Sequence, residues 1–181
     1  MIIFDLDGTL ADCEHRRHYV ERPEDYCGLC YDFLMDKSLD KDFDKQCLCG
    51  RYPGKWKTDW KAFYEACDLD MPIEPVIEML LCLYSNDHDI QIWSGRCESV
   101  RVKTTEWLQK HIPIWNDELV LKMRPIGDYT PDDQLKERWL DEAIANGETI
   151  EMVFDDRPKV VRMWRRRGIF VFDVNQTGNE L

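Results

Sequence analysis

The chain has 181 residues, with 36 acidic against 24 basic side chains and a formal net charge of −12. This balance excludes extended, non-specific nucleic-acid binding, which runs on Lys and Arg contacts to phosphates, but leaves a local basic site at a nucleic-acid end open. No apolar run approaches the roughly 20 residues of a membrane span, and no basic-then-apolar leader opens the chain; the expectation is one cytoplasmic domain with an insertion and no membrane partner.

Residues 1–5 read as a buried strand that runs into Asp5-Leu6-Asp7-Gly8-Thr9. Side chains two apart on an extended segment share a face, so Asp5 and Asp7 point the same way. Gly8 lets the backbone turn sharply and Thr9 can cap the turn. A carboxylate nucleophile beside a second carboxylate suits phosphoryl transfer through an aspartyl-phosphate. Residues 12–58 keep no single period and read as an insertion.

A helix is expected over 59–68 with Asp59 as N-cap. Pro72 and Pro75 mark a joint, and Pro75 fits the first turn of the next helix. Its stripe is Val76, Ile77, Leu80, Leu81 and Tyr84, and Asn86-Asp87 ends it. Ile90, Ile92 and Trp93 form a strand that leads into Ser94-Gly95-Arg96. A helix over about 98–110 follows, with Val100, Trp107 and Leu108 inward, then a short strand over 119–123. Thr130 as N-cap and Pro131 at the first position predict another helix. Its face is Leu135, Trp139, Leu140, Ala143 and Ile144, and Asn146-Gly147 stops it. Met152 to Phe154 is a strand ending in Asp155-Asp156-Arg157. A helix over 159–166 and a strand over 169–174 complete the pattern.

Strands alternating with helices imply an α/β fold, a Rossmann-like parallel sheet with helices on both faces. Sites in such sheets form at the carboxyl ends of the strands. Those ends carry Asp5 and Asp7, Ser94, and Asp155 and Asp156, which belong on one rim. The core is assigned to 1–16 and 59–181, and the insertion to 17–58.

Eight cysteines are present. Without a secretory context they do not predict a disulfide framework. Cys27-Gly28-Leu29-Cys30 and Cys47-Leu48-Cys49 offer four thiolates to one structural Zn²⁺, which would let a polar, irregular segment fold without its own core. Reduced, scattered cysteines are the alternative. Arg162, Arg165, Arg166 and Arg167 read as the solvated face and last turn of a helix, where cations suit the helix dipole.

The order DxDGT, a strand ending in Ser, a helical Lys and a strand ending in Asp-Asp resembles the haloacid dehalogenase superfamily. The resemblance covers 1–12 and about 74–174. It implies Asp5 as nucleophile and Asp7 as general acid, then base. It implies Mg²⁺ on Asp5, the Asp7 carbonyl and Asp155, supported by Asp156. Ser94 and the Gly95 amide would bind phosphoryl oxygens, and Lys136 would balance their charge. It also makes the insertion a cap.

Ser94-Gly95-Arg96, Asp132 to Lys136, Asp155-Asp156-Arg157 and Val160 to Arg166 together resemble the 3′-phosphatase domain of phage polynucleotide kinase–phosphatase. That likeness implies Arg16 and Arg96 at the phosphate or its nucleotide, and Asp132 anchoring Lys136. The implied substrate is a nucleotide or a nucleic-acid 3′ end. A free-nucleotide or small-metabolite phosphatase, and a non-catalytic zinc-stabilised interaction module on the same scaffold, are the competing readings. No GxxxxGK[ST] is present, so no 5′-kinase activity is expected.

Overall fold

The computed structural model describes residues 1–21, 58–115 and 119–175. Cys27, Cys30, Cys47 and Cys49, and with them the zinc expectation, lie outside the described residues. The chain packs as two units, one of Met1–His15 with Tyr64–Leu181, the other of Arg16–Phe63.

In the first unit, β1 (Ile2–Phe4), β4 (Ile90–Cys97), β5 (Val120–Arg124), β6 (Met152–Asp155) and β7 (Phe170–Asp173) form one sheet in the order β5-β4-β1-β6-β7. Every pairing in it is parallel. Parallel neighbours require crossovers, and the helices supply them. They are α2 (Glu74–Ser85), α3 (Arg101–His111), α4 (Asp132–Ala145) and α5 (Pro158–Arg166).

Alternation along β1 sends Ile2 and Phe4 to one face and Ile3 to the other. Ile2 and Phe4 join Ile90, Ile92, Ile77 and Leu80 in one buried cluster, closed by Trp107 and Leu108 of α3. Ile3 joins Trp93, Val153 and Val171 in a second, closed by Leu135, Trp139 and Leu140 of α4 and Val160, Val161 and Trp164 of α5. Each fully buried aliphatic side chain of this kind contributes roughly 1.5–3 kcal/mol of transfer free energy. The sheet is therefore covered on both faces, as alternating strands and helices require.

Three details differ from the sequence reading. The helix expected to open at Pro131 begins at Asp132, with Pro131 as its cap. Thr130 lies in the preceding loop, its amide donating to Asp128 Oδ1 at 2.8 Å and its carbonyl accepting from Arg124 at 2.5 Å. Ile144, expected on the buried face of α4, is 51% exposed, while Lys136 is buried there. A two-stranded antiparallel ribbon, β2 (Ala11–Asp12) with β3 (Met71–Pro72), was not foreseen, since two-residue strands leave no period to read.

The arginines at the end of α5 meet acids. Arg166 and Arg167 pair with Glu137, and Arg167 also with Asp141 at 2.6 Å. Among the described residues, no helix is long and apolar enough to cross a membrane.

In the second unit, α1 (Trp60–Glu65) begins where Asp59 accepts the Ala62 N–H at 2.9 Å, the expected cap. The Asp59 N–H donates to the Tyr19 carbonyl at 2.8 Å. Arg16 is buried here; its guanidinium lies 4.1 Å from the Phe63 ring centroid and donates to the Phe63 carbonyl at 3.1 Å.

Candidate active site

The carboxyl ends of β1, β4 and β6 meet because these strands are neighbours in the sheet. Asp5 follows β1 directly, and its amide donates to the Phe154 carbonyl at 2.9 Å. Gly8 then turns the chain at φ +83°. A side chain at this glycine would collide with the Asp156 carboxylate, its Cβ falling 2.0 Å from Oδ2. Gly8 is thus required both by its conformation and by the close approach of Asp156. Thr9 donates its hydroxyl to Asp156 Oδ1 at 3.4 Å.

Asp5, Asp155 and Asp156 bring carboxylate oxygens within 4.8 Å of one another. One cation sits among them: Lys136 Nζ lies 2.7 Å from Asp5 Oδ1 and 2.8 Å from Asp155 Oδ2. Lys136 reaches inward because it falls on the same face of α4 as Leu135, Trp139 and Leu140. Asp155 also accepts the Trp164 indole N–H on Oδ2 and the Arg157 amide on Oδ1, each at 3.2 Å.

The electrostatics follow from this crowding. Burial pushes the Asp5 carboxyl up to about 8; Lys136 pulls against this, and Asp155 and Asp156 add to it. Burial, then the Asp155 charge, raises Asp156 to about 7. Burial opposes the Lys136 charge, but Asp155 and Asp5 outweigh it and hold the ammonium above its ordinary range. Among the described residues these three carboxylates surround one buried cation, which leaves them with excess negative charge. A bound proton or a divalent cation relieves it, and oxygen-only donors suit a hard ion such as Mg²⁺.

Asp7 lies on the next turn of the chain and is held by Arg96. The arginine donates Nε and Nη2 to Asp7 Oδ1 at 2.8 and 2.6 Å. Its Nη2 also reaches Asp70 Oδ2 at 2.5 Å. Asp70 is pinned in turn by His15 at 2.9 Å and by the Trp107 indole, which donates to its carbonyl at 2.7 Å. Arg96 is fully buried. In this structure its guanidinium is committed to Asp7 and Asp70.

Ser94 is buried within the C-terminal half of β4, and its hydroxyl accepts the Arg96 amide at 3.1 Å. The Gly95 carbonyl accepts from Arg124 Nε at 2.9 Å and from the Tyr64 hydroxyl at 3.4 Å. Asp132 does not anchor Lys136, a correction to the implied pairing. Its oxygens pair with Arg124 and Arg157. The reason is that Lys136 has turned toward two buried carboxylates, whereas Asp132 is partly exposed beside two guanidinium groups.

The structure therefore gathers Asp5, Lys136, Asp155 and Asp156 into one cluster and links Asp7 to Arg96. Asp70, Arg124 and Trp164 were missed by the sequence reading. Arg124 carried a usable signal, since it ends a strand of the same sheet. Asp70 and Trp164 carried none, because their contacts join distant segments.

Residues 58–179 match the family described as the polynucleotide kinase PNKP phosphatase domain. This span includes Ser94, Arg96, Asp132, Lys136, Asp155 and Asp156, and begins after Asp5 and Asp7. A protein named as a bifunctional polynucleotide kinase/RNA ligase, from Autographa californica nuclear polyhedrosis virus, is 32% identical over 109 residues. That alignment covers 58% of this chain and 15% of the viral protein. A chain of the Pnkp1/Rnl/Hen1 RNA repair complex superimposes with a TM-score of 0.61 at 25% identity, over 96% of this chain and 41% of that one. A haloacid dehalogenase-like hydrolase from Streptococcus pneumoniae superimposes with a TM-score of 0.54 at 16% identity, over 95% and 82% of the two chains. The chain spans less than half the length of the two repair proteins it matches.

Proposed function

The chain belongs to the polynucleotide kinase PNKP phosphatase domain family, a phosphatase lineage of haloacid dehalogenase type, and from that premise we propose that it removes the phosphate from a nucleic-acid 3′ end or a nucleotide. The observation that carries the reading is the pairing of a Lys136-held Asp5 with an Arg96-held Asp7 on one turn of chain. Asp5 attacks phosphorus as the bond to the ester oxygen breaks, and Asp7 donates the proton that oxygen needs. Asp7 then takes a proton from water, which attacks the aspartyl-phosphate, releases orthophosphate and restores Asp5.

Mg²⁺, when bound, neutralises charge between an anionic nucleophile and an anionic substrate. Asp5, Asp155 and Asp156 are the residues that would hold it, with the Asp7 carbonyl. Lys136 offsets the charge of the Asp5 carboxylate and of the transferring phosphoryl group. Ser94 and the Gly95 amide are assigned to phosphoryl oxygens, with Asp132 shaping that side through Arg124 and Arg157. Residues 17–58 are assigned as a cap that selects substrate, with Cys27, Cys30, Cys47 and Cys49 as its zinc ligands. One zinc per chain by elemental analysis supports the zinc assignment, and none discards it.

The net charge of −12 favours small substrates over polymers away from the local arginines. The test is Mg²⁺-dependent phosphate release from 3′- and 5′-phosphorylated oligonucleotides, 3′- and 5′-mononucleotides and sugar phosphates. Preference for 3′-phosphate ends supports the end-healing reading. Preference for 5′-mononucleotides replaces it with a nucleotidase, and release from none discards both.

A further inference from the structure

We infer that Trp164 is a positioning residue for the divalent-cation site, setting its affinity through a hydrogen bond to Asp155. The inference rests on the metal reading proposed above. The Trp164 side chain is completely buried, on the inner face of α5. Its ring packs 6.0 Å from Trp93 in the cluster that closes one face of the sheet. Packing alone would be met by an apolar ring. The indole N–H instead points at Asp155 Oδ2, at 3.2 Å.

Two other buried tryptophans show the contrast. Trp93 donates to the Gln91 side chain at 2.9 Å, and Trp107 to the carbonyl of Asp70 at 2.7 Å. Trp164 donates to a carboxylate of the three-acid cluster. Among the described residues Asp155 receives Lys136 and Trp164 on Oδ2 and the Arg157 amide on Oδ1. Lys136 is shared with Asp5, and a single ammonium on one oxygen does not by itself fix the carboxylate plane. The indole is rigid and locked by the core around it, so it defines the orientation in which Asp155 meets a cation. Groups that orient a metal-binding carboxylate typically change metal affinity 10–100-fold when removed.

The test compares wild type with Trp164→Phe, which keeps an aromatic ring but removes the donor. Calorimetric titration with Mg²⁺, and with Mn²⁺ as a second probe, should show Kd weakened about tenfold or more. A packing role alone would lower the melting temperature of the metal-free protein and leave Kd unchanged, which would overturn the inference. Should the variant not fold, wild type answers the question. The Trp164 indole N–H resonance should shift on Mg²⁺ saturation, and more than that of Trp93. An unmoved Trp164 resonance overturns the inference. Wild type that binds neither cation overturns the metal reading and this inference together.

Discussion

Arg96 grips Asp7 through two N–H donors on one carboxylate oxygen, Nε at 2.8 Å and Nη2 at 2.6 Å. The planar guanidinium thereby fixes a group that must hand over a proton in one direction and then take one from another. Lysine offers a point charge and cannot reproduce that fork. Arg96→Lys should lower kcat by about 10²-fold, the lower end of what a positioned acid–base contributes. KM should change much less, because the contact is to Asp7. Steady-state kinetics on a 3′-phosphorylated oligonucleotide check this; a large KM rise at constant kcat would return Arg96 to direct substrate contact. Arg96→Ala removes the buried guanidinium that Asp7 and Asp70 share and should destabilise the fold, by up to about 3–5 kcal/mol in denaturant titration.

The three-carboxylate cluster makes stability depend on pH in a defined direction. Asp5 titrates at about 8 in the fold against an ordinary 3.8, and Asp156 at about 7. A raised carboxyl prefers its proton in the folded state. Its contribution is complete below about 4 and is lost as pH rises through about 7 and then about 8. The metal-free protein should therefore melt lower at pH 8.5 than at pH 5 by roughly several degrees. Mg²⁺ should recover more at the higher pH, where it no longer competes with protons. Asp156→Asn should flatten both trends. Melting temperatures in chelator and in Mg²⁺ at the two pH values decide it, and a metal-free protein more stable at pH 8.5 would contradict the account.

Two glycines bring acids close to the rim. Gly8 holds φ +83°, and a Cβ there would fall 2.0 Å from Asp156 Oδ2. Gly8→Ala should displace Asp156, weaken Mg²⁺ binding and cost about 1–3 kcal/mol in denaturant titration. At Gly95 a Cβ would meet Asp132 Oδ1 at 2.8 Å. Asp132 is held there by Arg124 and Arg157 and has little room to retreat. Gly95→Ala should lower kcat/KM about tenfold or more with a smaller loss of stability, the signature of a shifted strand segment rather than a broken core. Unchanged kinetics would show that Asp132 moves freely.

The sheet was legible because Ile2, Phe4, Ile90, Ile92 and Val153 fall in short apolar runs bounded by helical stripes, and such runs have few other ways to be buried. The acids of the site were legible for the same reason: Asp5 and Asp155 end two of those strands. Lys136 was found through the resemblance, and the structure supplies its reason, a place on the buried side of α4. The contacts of Asp70 and Trp164 were not legible, whereas Arg124 could have been read from its place at the end of a strand. Asp70 meets Arg96 across 26 residues, and no local period marks a long-range ion pair. The pairing of Asp132 with Lys136 was implied by the resemblance alone, and the tertiary neighbours of each residue decided otherwise.

The central claim is that Asp5 carries the phosphoryl group. It is tested most directly by acid-quenching the wild-type protein within its first turnover, after rapid mixing with a radioactively 3′-phosphorylated oligonucleotide and Mg²⁺. The account expects label on the peptide containing Asp5, released by hydroxylamine as an acyl phosphate is, and none on Asp5→Asn. Turnover retained by Asp5→Asn, or product formed with no label on that peptide, would contradict it.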